Sequence, residues 1–134
     1  MTKEDWTKAE KALDSILGHV KFVIDGYNVS VGYVKESPTK YCLAVYIDGV
    51  FKSEWCFEDC EIRRRFCNQR KTAVIKKSEF INKFGKREYN RVVKEKPEYF
   101  FAVYYTPYFG SFRTLKSHFI RNNQSIELAE VGLL

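Results

Sequence analysis

No stretch of this chain approaches the run of about 20 apolar residues that a membrane-spanning helix needs, so no membrane partner is expected. Residues 1–18, MTKEDWTKAEKALDSILG, are charged and periodic and lack the character of a secretory signal. The expected setting is cytoplasmic, where the four cysteines stay reduced by default. Histidine is scarce, with only His19 and His118. Neither has neighbours that suggest a nucleophilic triad or a metal nuclease, and there is no glycine-rich phosphate loop. The chain is therefore read as non-enzymatic. An acidic excess is also missing: the net charge is +6, the wrong sign for a protein that mimics DNA.

Aromatic rings are plentiful: 11 Phe, 9 Tyr and 2 Trp in 134 residues. Such rings can fill a core or offer a partner surface. The length suits one domain, 1–134, large enough for a core without staples.

The chain is organised around residues 40–67, KYCLAVYIDGVFKSEWCFEDCEIRRRFC. Asp48-Gly49 sits between two apolar runs, which predicts a hairpin of strands 41–47 and 50–55. Asp25-Gly26 predicts an earlier hairpin of strands 19–24 and 27–34. Before it, Thr2 and Asp5 form a capping box for a helix over 3–17, ended by Gly18. After the second hairpin, 56–67 reads as helix, and 68–77 as either strand or helix. A further helix is capped by Ser78, interrupted at Gly85 and ended by Pro97. Residues 99–105 read as a core strand, 106–110 as a turn, 112–121 as a helix capped by Ser111, and 125–131 as a strand or tail. The fold class is α+β: a mainly antiparallel sheet of about five strands, two consecutive hairpins plus a later strand, with helices packed over it.

Two patterns suggest function. On an unbroken helix Cys56, Cys60 and Cys67 share a face, but the rise of about 1.5 Å per residue parts the first and last by roughly 16 Å. Cys56 and Cys60 could bind zinc with Cys42 or His118. The plainer reading is that they are buried thiols, with a disulfide as a third. The second pattern is charge. Residues 61–96 carry 13 Lys/Arg against 4 Asp/Glu, and the remainder 10 against 13. Arg63, Arg64, Arg65, Arg70, Lys71, Lys76, Lys77, Lys83, Lys86, Arg87 and Arg91 are candidates for contact with nucleic acid or an acidic partner, against the plain alternative of a solvated face. Tyr108 and Phe109, in the 106–110 turn, are candidate exposed anchors.

Three stretches, MTKEDWTKAEKAL, YCLAVYIDGVFKSEWCFEDCEIRRRF and SFRTLKSHFIRNNQSIEL, resemble small proteins encoded by phages and prophages of Gram-positive bacteria. Some of these are anti-CRISPR inhibitors of type II effector nucleases. The resemblance implies an inhibitor that acts by binding a CRISPR effector nuclease, or its nucleic acid, in the host cytoplasm and blocks nucleic-acid loading. It assigns no residue a role. The alternatives are a small basic nucleic-acid-binding protein and a zinc-stabilised interaction protein.

Overall fold

The structure, a computed structural model, describes residues 1–133. It is α+β and divides into two compact units: residues 1–68 with 106–134, and residues 69–105.

The first unit is built on two tight hairpin turns. Asp25-Gly26 joins β1 (Gly18–Ile24) to β2 (Tyr27–Ser37), and both turn residues take positive φ, 48° and 87°. Glycine adopts that region freely and aspartate tolerates it, so the chain reverses with the twist of its strands. Asp48-Gly49, at 52° and 80°, reverses the chain after β3 (Lys40–Ile47). Here the second strand expected over 50–55 does not form: a single bridge, Ile47 to Val50, is made and the chain leaves the sheet. That edge of β3 belongs to β6 (Tyr108–Phe109), which pairs with Leu43 and Ala44. Trp55 and Cys56 instead donate their amides to the carbonyls of Lys52 and Ser53 and open α2 (Glu54–Phe57). On the far side, β7 (Ile126–Leu133) pairs antiparallel with β1, giving the order β6-β3-β2-β1-β7.

One face of this sheet carries Val20, Phe22, Ile24, Val29, Val31, Leu43, Val45 and Ile47, all buried. Trp6 and Leu13, from the first helix and its end, share that core with Phe66 of α3 (Glu61–Phe66) and Leu115 and Phe119 of α6 (Phe112–Asn122). Many of the aromatic residues go here: Phe119 meets Phe22, Phe66 and Phe109 edge-on at 6.0, 5.9 and 6.2 Å between centroids. Each buried large side chain contributes about 1.5–3 kcal/mol.

The caps at Thr2 and Ser111 form as expected. Thr2 Oγ1 accepts from the Asp5 amide at 3.1 Å and the Thr2 amide donates to Asp5 at 3.3 Å; Ser111 Oγ accepts from the Thr114 amide at 3.2 Å. The first helix, α1 (Lys3–Ala12), stops well short of 17. Asp14 and Ser15 favour turns over helix; Ser15 Oγ takes the Leu17 amide at 3.2 Å, and Ile16 and Leu17 are exposed.

The helix expected over 56–67 is broken. Glu58 and Cys60 are extended, so α2 and α3 are separate. The break leaves Phe57 83% exposed while Phe66 is fully buried.

In the second unit, β4 (Asn68–Ala73) settles the ambiguous 68–77 stretch as strand followed by loop. It pairs with β5 (Phe101–Thr106) in a two-stranded ribbon. Between them lie α4 (Lys77–Phe84), Gly85 at φ 92°, α5 (Lys86–Glu95) and a 3₁₀ turn, Pro97–Tyr99. The first helix residue is Lys77, so the cap is Lys76 and not Ser78. Phe100 and Tyr89 are buried, and Phe80 packs on both at 5.1 and 5.9 Å.

Candidate nucleic-acid interface

The two units divide the charge completely. The first carries thirteen basic and thirteen acidic side chains and is neutral; residues 69–105 carry ten against four, the whole +6.

The arginines of α3 belong to the neutral unit and meet its own carboxylates. Arg63 and Arg64 reach Asp59 at 3.6 and 3.3 Å. Arg65 bonds Asp25, Glu61 (2.8 Å) and the Asn123 side chain (3.1 Å). Its guanidinium ties the first turn to α3 and to the end of α6.

In the second unit, Arg91 is held by Glu88 and by Glu95 at 3.0 Å on its own helix. Lys71, Lys76, Lys77, Lys83, Lys86 and Arg87 are exposed and have no carboxylate partner among the described residues. Arg70 is half-buried on β4.

Four lysines of this unit stand over rings: Lys71 on Phe101, Lys77 on Tyr89, Lys83 on Phe84 and Lys96 on Tyr99, each 5.3–5.5 Å from the centroid. Such pairs are worth about 0.5–1 kcal/mol at exposed sites and hold the ammonium beside a flat apolar face. Residues 99–105, expected as a core strand, are largely at the surface. Tyr99, Val103 and Tyr104 are 54%, 48% and 41% exposed, because β5 pairs only with β4 among the described residues, and β4 is itself mostly exposed. Phe84 is exposed as well. The sequence favours a core strand over a base-stacking surface for 99–105, and Lys96 does not stand out in it as part of the site. The signal for the rings is the ring density of 99–105, which a buried strand would also produce.

The two turn anchors part company. Tyr108 is exposed, but Phe109 is fully buried, paired to Leu43 and packed on Phe119 and the His118 ring.

The cysteines meet because the helix breaks. The Cys56 and Cys67 thiols hydrogen-bond, with Cys60 close enough to act on both. Burial, then the neighbouring thiols, push Cys67 up to about 12; burial also raises Cys56. The zinc tetrahedron that Cys42 or His118 would complete does not form: among the described residues no three His, Cys, Asp or Glu side chains are placed to hold a metal ion. A structural zinc needs four such ligands around one point, and this thiol group does not supply them.

Among the described residues no helix is long and apolar enough to cross a membrane. Comparison of the chain with protein-family models, curated proteins and solved structures finds no match.

Proposed function

We propose that this protein works by binding, without catalysis, and that residues 69–105 hold single-stranded nucleic acid. One observation carries the reading: the entire net charge lies in that unit, and its exposed cations share the surface with the exposed rings of Phe84, Tyr99 and Tyr104. Cations follow a phosphate backbone without regard to sequence, and each base offers a face for stacking. A duplex hides those faces, which favours single strands.

The test is fluorescence anisotropy with labelled single-stranded and duplex oligonucleotides. Single strands bind more tightly. Raising salt from about 50 to about 200 mM weakens them about fiftyfold if about four phosphates are neutralised. The combined K83E, K86E and R87E variant binds more weakly and with a shallower salt slope. Binding that ignores both salt and charge reversal rejects the proposal.

A second reading keeps the surface and changes the setting. The protein would inhibit a type II CRISPR effector nuclease in a bacterial cytoplasm, docking on its guide RNA, DNA or an acidic groove and blocking target loading. It is supported by where the three resembling stretches fall: all lie in 1–68 and 106–134, with the cationic residues 69–105 set between them. Binding only in the presence of the nuclease favours this reading; binding to free oligonucleotide favours the first.

A further inference from the structure

The neutral unit contains a second cationic feature that the 69–105 surface does not include. Helix α6, FRTLKSHFIRN, has no acidic residue. Arg113, Ser117 and Arg121 lie four apart on one ridge, and Thr114 and His118 form the ridge beside it. Together with Asn68 these residues line a cleft of about 280 Å³. The Asn68 side chain is fixed by donating to the Tyr108 carbonyl at 3.1 Å. No carboxylate lines the cleft, and neither Arg113 nor Arg121 has a carboxylate partner among the described residues. Two guanidiniums without carboxylate partners beside one hollow favour an anion there.

His118 also lines the cleft. Its Nε2 is buried with no hydrogen-bond partner. The backbone carbonyls of Arg64 and Arg65 on α3 act on the ring, and Phe109 of β6 packs on its face.

We propose that this cleft is a binding site for a tetrahedral dianion of the phosphate-monoester class, gripped by the forked guanidiniums of Arg113 and Arg121 and the Ser117 hydroxyl, with the His118 ring in its wall. Arginine suits this task because its planar fork meets two oxygens at once. A monoester or free phosphate presents three unsubstituted oxygens and two charges to these groups; a diester presents two oxygens and one charge.

The charged groups that face His118 set the sign of a pH effect. They are Arg121 and Arg113 from its own helix; α3 contributes the two carbonyls, and the Arg64 and Arg65 guanidiniums are directed to Asp59, Asp25 and Glu61. Burial first, and Arg121 second, hold the imidazole below its ordinary range, so it is neutral at neutral pH. A dianion in the cleft opposes the Arg121 contribution and favours the protonated imidazole. Binding should therefore tighten as pH falls.

Sulfate isolates this effect because its charge stays constant over the range used. The chain has only two histidines, so the His118 imidazole can be followed by NMR. Saturable sulfate binding is expected, tightening at least about threefold from about pH 8 to about pH 6 in the native protein and losing that dependence in H118Q. R113Q and R121Q, at exposed positions, should each weaken it about tenfold. Phenyl phosphate should bind and dimethyl phosphate should not, while inorganic phosphate shows whether the ester group adds anything. The K83E, K86E and R87E variant should bind as the native protein does. No saturable change with sulfate or phenyl phosphate up to about 50 mM at about pH 6 overturns the proposal. So does binding unaffected by R113Q and R121Q, whatever H118Q does to the fold, and so does equal binding of dimethyl phosphate.

Discussion

Arg65 closes on Asp25 across forty residues of chain, joining α3 to the first hairpin turn. The Asp25 carboxylate accepts three ways: from that guanidinium and from the amides of Gln124 and Ser125 at 2.9 and 2.8 Å. Arg65 also holds Glu61 and Asn123. The pair thus joins the β1–β2 turn, α3 and the entry to β7. An arginine that looks like a binding residue in the sequence is committed to the fold.

The carboxylate has a pH signature. The Gln124 amide, then the Ser125 amide and Arg65, hold Asp25 below the usual 3.8. A carboxyl lowered by folding stabilises the native state above its unfolded pKa and loses that contribution as pH falls through its folded value. D25N keeps a residue that tolerates positive φ and removes the charge. It should be less stable than the native protein in urea at about pH 7, with the two converging as pH falls through the lowered folded value of Asp25. A constant gap across that range would mean the charge is idle.

The thiol pair makes a chemical prediction. Alkylation needs the thiolate, and Cys67 is buried and pushed up to about 12. In the folded protein at neutral pH, iodoacetamide should label Cys67 about three orders of magnitude more slowly than an ordinary thiol, and at the ordinary rate once urea unfolds the chain. Peptide mapping reads this out directly. Fast native labelling of Cys67 would show that α2 does not stay against α3.

Local chemistry is legible in this sequence and long-range chemistry is not. Both Asp-Gly turns and the caps at Thr2 and Ser111 are readable because each is settled within about four residues. The path of Val50 to Trp55 is not, because the competing strand is Tyr108-Phe109, remote in sequence. The same limit governs the charges. Arg65 and Arg87 look alike in sequence, yet Arg65 is taken by Asp25, and Arg87 is exposed with no carboxylate partner among the described residues. The run 99–105 misleads for a related reason: ring density marks a strand well, but only its neighbours decide burial.

Gly18 reads as a helix stop, and its requirement is spatial. A Cβ there would stand 1.8 Å from the Ala12 carbonyl oxygen and 2.8 Å from its carbon, both backbone atoms that cannot step aside. Gly18→Ala should cost about 2–4 kcal/mol in chemical denaturation. Gly32 provides the control. Its Cβ would meet nothing nearer than 3.7 Å, so Gly32→Ala in the same sheet should change stability by less than about 1 kcal/mol, in either direction.

The final prediction separates rings that build the second unit from rings that serve it. Phe100 is 1% exposed and packs on Phe80 and Tyr89 at 5.1 and 5.2 Å. Few other side chains in 69–105 are buried, so Phe100→Ala should cost that unit about 3–5 kcal/mol and speed amide exchange through α4 and α5. Tyr104 is 41% exposed on β5. Tyr104→Ala should leave those amides as protected as before while weakening single-stranded oligonucleotide binding about tenfold, the effect of one lost stacking partner. If removing the Tyr104 ring instead loosens α4 and α5, the ring supports the unit's own packing, and the stacking role assigned to β5 fails.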